Sequence, residues 1–284
     1  MKPTAFRNAL FTLLLATTAL QAAEPRRIEE LMHKSGLWTQ LGQSQEQIRG
    51  GAQQAQAQAK AGKGGKVFND DDFAKLVAAM NAAYAPDKLR SAMARELEAQ
   101  LSAADEMVVL EWLSSDLGQR LTKIEEESGE PAKAAAAERE SSTHLAAVPE
   151  MRIARFARMI TAIQLGEATA SMVINMTTAI GFGMAMANAT EDPAELAQTI
   201  RNRLEPQREQ MVETFNKRAI QSFAYVYRDV SDDDMEKYVV FSESPAGRRY
   251  HAASVRAMDN VLARAGIQMG REFEALMREP ARRS

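Results

Sequence analysis

Residues 230–250 read VSDDDMEKYVVFSESPAGRRY, and residues 101–121 read LSAADEMVVLEWLSSDLGQRL. The two stretches align without a gap at a constant offset of 129 positions. Five positions are identical, and Trp112 and Leu121 are matched by the aromatic residues Phe241 and Tyr250. The matched pairs are Ser102 with Ser231, Asp105 with Asp234, Ser115 with Ser244, Gly118 with Gly247, Arg120 with Arg249, Trp112 with Phe241 and Leu121 with Tyr250. A pattern that occurs twice in one chain indicates a duplicated structural unit, and it marks what that unit needs to fold or to bind.

The local chemistry of each copy predicts two short helices joined by a tight turn. In both copies the first serine precedes the aspartate by three positions, which resembles a capping box with Asp in place of the usual Glu. Ser115 and Ser244 are typical of a second N-cap, and Pro245 follows at the first helical position, where its missing N–H costs nothing. Gly118 and Gly247 fall in the first turn of the second helix, where a glycine lets another helix approach the backbone closely. We therefore predict an αα-hairpin in each copy.

Together with Tyr227, the second copy resembles the characteristic stretch of a bacterial exported family catalogued as domain of unknown function 2059. The hallmark of that family is an acidic capped helix, an aromatic residue, and then Ser-Pro and Gly. The resemblance covers Tyr227 to Tyr250, whereas the first copy departs from it at Asp116, which replaces the proline, and at Leu113, which replaces a small residue. The resemblance implies a helical, secreted or periplasmic protein. It brings no established activity and no catalytic residues.

The amino terminus has the pattern of a cleaved secretory signal. Lys2 and Arg7 precede an uncharged apolar run, and the small residues Ala22 and Ala23 precede the charged Glu24. The apolar run is shorter than the roughly 20 residues that a membrane-spanning helix needs. We therefore expect residues 1–23 to be a signal peptide and the protein to be periplasmic, with a secreted or membrane-associated protein as the alternative. The chain has no cysteine, so its stability after export cannot depend on disulfides.

Composition predicts an all-α protein, because Ala, Met, Leu, Glu, Gln and Arg, which lose little side-chain freedom in a helix, dominate the chain. The repeat predicts two tandem, diverged helical units built on the αα-hairpins. We place the first unit at residues 24–127 and the second, which carries the family-like motif, at residues 151–284. A connector with a short helix inside it is expected between them, at residues 128–150, because this stretch contains Gly129, Pro131, an Ala-rich run and Pro149.

Charge and motif content exclude several classes of function. The 35 Lys and Arg residues are balanced by 38 Asp and Glu residues, which gives no general attraction to nucleic acid. The three histidines, His33, His144 and His251, are far apart and lack the spacing of metal ligands. No phosphate-binding glycine loop, dinucleotide fingerprint or nucleophile motif occurs. We therefore predict no metal and no cofactor.

Two segments leave alternatives open. Residues 168–190 carry no charge but contain small and polar residues, which favours a buried core or homodimer helix over one that contacts a membrane. Residues 50–66 have no periodic apolar face and are either an exposed helical extension or a linker, the linker being the safer choice for residues 62–65.

Three arginines, Arg152, Arg155 and Arg158, share one face of a predicted helix. A solvated face is favoured there over attachment to anionic lipid or to an acidic partner.

Two hypotheses about function follow. In the first, the protein is not an enzyme, and the duplicated hairpins bind an unknown protein partner or one another. The candidate site residues are those of the matched pairs given above, except Asp105 and Leu121, together with Tyr227 and Pro245. In the second, a hydrolase-type site is assembled around the Ser-Pro turn from Glu243, Arg248, Arg249, Tyr250 and His251. Convergence of Glu243, Arg249 and His251 within hydrogen-bonding distance would favour the enzyme.

Overall fold

The computed structural model describes residues 24–63, 67–186 and 193–278, and within these residues the regular structure is α-helical apart from one short 3-10 turn, Glu205–Gln207. The predicted all-α class is therefore confirmed. The predicted signal peptide, residues 1–23, lies outside the described residues. The helices are α1 (Glu24–Lys34), α2 (Leu37–Lys60), α3 (Asp70–Ala83), α4 (Pro86–Gln100), α5 (Ala103–Ser114), α6 (Asp116–Ser128), α7 (Pro131–Ala146), α8 (Glu150–Ala162), α9 (Leu165–Met186), α10 (Pro193–Leu204), α11 (Arg208–Val226), α12 (Asp232–Glu243) and α13 (Pro245–Arg278).

Short polar residues and prolines set many of the helix starts. At the start of α3, the side chain of Asn69 accepts a hydrogen bond of 2.8 Å from the backbone N–H of Asp72. Helices α4, α7 and α13 begin at Pro86, Pro131 and Pro245, where no N–H is needed for the helical ladder. These starts depend only on neighbouring residues, so they are readable from the sequence. The packing of the helices depends on contacts between distant residues.

The glutamine-rich stretch after Gly50 is helical rather than a linker up to Lys60, the last residue of α2. One side of this part of α2 is buried, and Gln56 lies on that side. Its side-chain amide donates to the carbonyl oxygen of Phe68 (2.7 Å) and accepts from the N–H of Phe68 (3.1 Å). Through these two hydrogen bonds, this part of α2 holds the backbone at Phe68, just before α3 begins. Residues 64–66 lie outside the described residues.

The uncharged segment 168–190 belongs mostly to α9, which packs against α10, α11 and α13. Ala170 and Ile174 are fully buried, and the polar residues Ser171 and Asn175 are buried with them. Asn175 donates to the carboxylate of Asp259 (2.8 Å) and accepts from Arg201 (2.7 Å), so its buried amide is satisfied within the chain. Among the described helices, none is long and apolar enough to cross a membrane. Residues 187–190 of the segment lie outside the described residues.

The order of the helices and their contacts occur twice. Helix α1 packs against α4 and α5, and α8 packs against α11 and α12 in the same way. Helix α2 packs against α3 and α4, and α9 packs against α10 and α11. We call α1–α7 the first half and α8–α13 the second half. This correspondence supports the predicted tandem units, which remain a prediction.

Each half sends its last helices into the other half. We call α6 with α7 the first arm and α13 the second arm. The second arm packs against α3, α4 and α5 of the first half, and also against α9 and α10 of its own half. Both helices of the first arm pack against α11. Accordingly, one apolar core combines α1–α5 with the second arm, and another combines α8, α11 and α12 with Leu121 of the first arm.

The predicted connector, residues 128–150, contains α7, a helix of 16 residues. Its packing against α11 makes it part of the second core rather than a simple link. Leu145 and Val148, near its end, contact that core. The turn between the halves is therefore the short stretch that joins Ala146 to Glu150. The predicted boundaries are otherwise untested.

Candidate functional site

The two matched stretches form hairpins with the same local structure. We call α5 with α6 the first hairpin, and α12 with the first turns of α13 the second hairpin. Ser102 and Ser231 cap α5 and α12, each accepting a hydrogen bond of 3.2 Å from the N–H three residues later. Ser115 and Ser244 cap α6 and α13, each accepting one of 3.0 Å from the following glycine N–H. The predicted serine caps are thus present in both copies.

A close backbone contact explains the glycine in each hairpin. A methyl group added at Gly118 would overlap the carbonyl oxygen of Trp112 and lie 3.0 Å from its carbonyl carbon. One added at Gly247 would overlap the carbonyl oxygen of Phe241 and lie 3.1 Å from its carbonyl carbon. Because the neighbouring atoms belong to the backbone, they cannot move away easily. The predicted close approach of another helix therefore exists, and that helix is the preceding one of the same hairpin, α5 in the first copy and α12 in the second.

The two aspartates of the motif each bind the arginine of the other copy. Asp105 accepts hydrogen bonds from Arg249, one of them 2.9 Å long from Nε. Asp234 in turn forms an ion pair with Arg120. These hydrogen bonds from arginine lower the pKa values of both carboxyl groups. The motif residues are thus brought together by reciprocal contacts between the hairpins, as in an interface with two-fold symmetry.

The matched aromatic residues stack on each other at the centre of this arrangement. The rings of Trp112 and Phe241 are nearly parallel, with centroids 4.6 Å apart. Tyr238 also stacks on Trp112, at 5.8 Å. The remaining motif residues, Tyr227 and Tyr250, are buried in the two cores. Every residue of the predicted motif therefore has a role in the packing, the capping or the pairing of the hairpins.

An open groove of about 590 Å³ runs along α12 beside this aromatic stack. Its lining combines aromatic, aliphatic and charged side chains, namely Trp112, Asp233, Glu236, Lys237, Val240 and Phe241. Val240 is 57% exposed, although it is a large apolar residue. On α5, Met107 and Val108 are 59% and 46% exposed. The outward sides of α5 and α12 therefore carry apolar surface that the packing of the chain leaves open.

Behind the hairpins, a buried carboxyl group connects the first arm to the second half. Glu125 of α6 accepts hydrogen bonds from the hydroxyl groups of Tyr227 (2.7 Å) and Tyr238 (2.9 Å). Burial raises the pKa of Glu125, and the two hydrogen bonds offset this only in part. Burial also raises the pKa values of both tyrosines, so they remain donors. The sequence contained no local signal for this cluster, because Glu125 lies more than 100 positions from either tyrosine.

The arginine face of α8 pairs with the acidic face of α12. Arg152 pairs with Asp232 and also donates to the carbonyl oxygens of Tyr227 and Val230, both at 2.7 Å. Arg155 pairs with Glu236 at 3.2 Å. Arg158 pairs with Glu236 at 2.9 Å and with Glu243 at 2.6 Å. The favoured prediction of a solvated face therefore holds for Arg158, whose side chain is 43% exposed, but not for Arg152 and Arg155, at 13% and 21%. The acidic residues of α12 at helical spacing were the signal that could have revealed this pairing.

The residues of the hypothetical enzyme site point to separate partners. Glu243 binds Arg158, whereas Arg249 binds Asp105. His251 contacts the ring of Phe241, with centroids 6.4 Å apart. Its Nε2 is buried without a hydrogen-bond partner in the described part of the chain, and burial lowers its pKa to about 4. The three groups therefore do not form an acid–base constellation.

Within residues 24–63, 67–186 and 193–278, no group of three or more His, Asp or Glu side chains is arranged to hold a metal ion. A comparison with protein-family models, with curated proteins and with solved structures finds no match. The inference of a function therefore rests on the geometry of the chain.

Proposed function

We propose that this chain is an exported, non-enzymatic helical protein of the bacterial periplasm that acts as a protein-interaction module. The observation that supports this proposal is the groove along α12, whose aromatic wall and exposed Val240 remain open to solvent. Aromatic and aliphatic side chains that line one open groove together, as Trp112, Val240 and Phe241 do, are typical of a binding surface. The duplicated motif itself is used to pair the hairpins, so the partner would contact the groove beside the motif.

The charges around the groove indicate the chemistry of the partner. Asp233 and Glu236 line it, although Glu236 is paired with Arg155 and Arg158 of α8, and the exposed Glu111 directly precedes Trp112 of the lining. Lys237 is also part of the lining, but it pairs with Asp234 at 3.1 Å. An acidic rim around an aromatic and aliphatic wall favours a segment that carries an apolar side chain close to a lysine or arginine. We therefore propose a basic, amphipathic segment of a periplasmic protein as the partner.

In-cell photo-crosslinking tests this surface. A photoreactive residue at position 240 should form a discrete protein adduct, whereas the same residue at position 98, on the exposed side of α4, should not. Asp233→Lys in the position 240 variant should weaken the adduct, because it reverses a charge in the lining of the groove at an exposed position. Equal labelling at positions 98 and 240, or an adduct that is unchanged by Asp233→Lys, would contradict the proposal.

Export is tested separately by the mass of the protein recovered from the periplasm. We expect the mature chain to begin at Ala23 or Glu24, since the small residues at positions 22 and 23 suit signal cleavage. Recovery of the uncleaved chain from the cytoplasm would contradict the localisation but would leave the binding surface to be judged by crosslinking.

A further inference from the structure

The two arms occupy corresponding places in the chain. At the offset of 129 that aligns the hairpins, residues 116–146 of the first arm correspond to residues 245–275 of the second arm. The first arm is broken at Gly129 into α6 and α7, whereas the second arm is one continuous helix of 34 residues. The two arms are therefore equivalent elements, but the first consists of two helices and the second of one.

The second arm contacts the first half along its whole length. Arg249 near its start binds Asp105, and Asn260 in its middle donates to Glu96 at 3.0 Å. Near its end, the ring of Phe273 packs edge-on against Phe68, with centroids 6.2 Å apart. Between these contacts its apolar face is buried in the first core through Ala253, Ala257, Val261, Leu262, Ala265 and Met269.

The first arm contacts the second half by packing against α11 and through side chains near both of its ends. Arg120 near its start binds Asp234, and Glu125 accepts from two tyrosines of the second half. Near its end, the ring of His144 packs edge-on against Tyr225, with centroids 5.2 Å apart. Arg120 and His144 occupy the positions that correspond to Arg249 and Phe273. Both ends of the two arms therefore make reciprocal contacts.

From this reciprocity we infer that the repeated unit is a self-pairing module whose partner is a second copy of the same unit. Each half donates its arm and receives the other arm, which is the arrangement of a swapped dimer joined into one chain. A half without its partner would expose the part of its arm that the other half covers and would lack the helix that completes its core. The two halves should therefore remain bound when the covalent link is cut. This inference does not depend on the proposed function.

The test uses the full chain with a protease recognition site inserted between Ala147 and Val148, in the turn that joins the halves. After cleavage, the two fragments should elute together at the volume of the uncut protein and should separate only in denaturant. Elution as two separate, folded fragments in native buffer would overturn the inference.

Charge reversal shows whether the exchanged arms hold the fragments together. In the cleaved protein, Arg249→Glu should weaken association about tenfold, and adding Asp105→Arg should restore it. The matched control is Lys123→Glu, which reverses a charge on the first arm where the lysine pairs with Glu127 of the same helix. If Arg249→Glu had no more effect than Lys123→Glu, the assignment of the arms as the pairing elements would be wrong.

Discussion

The first and second hairpins share their backbone construction but differ in the side chains around it. Both have serine caps, a glycine against the preceding carbonyl, and an aspartate and arginine that bind the other hairpin. They also share a less obvious contact, in which Gln119 or Arg248 donates to the carbonyl oxygen five residues earlier, at 2.7 and 2.8 Å. The residues that recur are therefore those that form the turn and the pairing contacts, and the rest have diverged with their surroundings.

The largest effect should come from the two glycines. Gly118→Ala and Gly247→Ala should each lower the free energy of unfolding by about 3 kcal/mol, because the added methyl group meets backbone atoms. Chemical denaturation of both variants measures this. Gly50→Ala is the matched control, since its methyl group would meet nothing within 4 Å and alanine is the better helix former. A Gly247→Ala protein as stable as the Gly50→Ala protein would contradict the close contact.

The two reciprocal ion pairs should contribute unequally to the free energy of unfolding. The side chain of Asp105 is 9% exposed and that of Asp234 is 21% exposed, while both arginines are more than half exposed. Asp105→Asn should cost about 1 kcal/mol after allowance for solvent screening, and Asp234→Asn should cost less. Thermal unfolding at low and high salt measures both. A larger loss for Asp234→Asn would reverse the comparison.

Between pH 6.5 and 4, the second hairpin should lose stability through a group that the first hairpin does not have, because His251 corresponds to Thr122 in the first. The pKa of His251 is about 4 in the folded protein, against roughly 6.5 for an unfolded chain. As the pH falls from 6.5 to 4, the unfolded state binds a proton that the folded state does not, so stability decreases over this range. His251→Thr should remove this component from the stability measured against pH. An unchanged pH profile would show that the imidazole is not buried in solution.

Glu125, in the first arm, should show the opposite dependence. Its folded-state pKa is raised, so its protonated form favours the folded state, and stability decreases as the pH rises from the unfolded pKa of roughly 4.3 through the folded pKa. Glu125→Gln keeps an oxygen that accepts from Tyr227 and Tyr238 but cannot ionise. The variant should lose this decrease when unfolding is followed from pH 4 to pH 8. A steeper decrease in the variant would contradict the assignment.

The smallest effect should come from Asp116→Pro, which gives the first hairpin the proline of the second. Ser115, the preceding residue, has φ −67° and ψ 154°, close to the φ −63° and ψ 157° of Ser244, which precedes Pro245. These extended angles are compatible with a following proline. The stability should change by less than about 0.5 kcal/mol, because a stiffer unfolded chain offsets the lost charge at the helix start. A strongly destabilised variant would show that the two turns are not equivalent.

Much of the hairpin site could be predicted from the sequence, because its signals are local. Ser102, Ser115, Ser231 and Ser244 each act on a backbone N–H three residues away, so spacing alone reveals them. The partners of Asp105 and Asp234 were not predictable in this way. A capping aspartate turns back to its own helix start, as Asp105 does when it accepts from the hydroxyl of Ser102 at 2.8 Å, and the arrangement of the two halves adds an arginine from the other copy.

The sequence by itself determined the helical class, the helix starts and the two turns that need glycine. These features arise from backbone sterics and from hydrogen bonds between residues a few positions apart. Only the tertiary structure decided that the arms exchange, that α8 pairs with α12 and that Glu125 is buried beneath two tyrosines. Such contacts join residues such as Asp105 and Arg249, 144 positions apart. Many pairings of that kind satisfy the same local pattern, and the complementary fit of whole helices selects one of them.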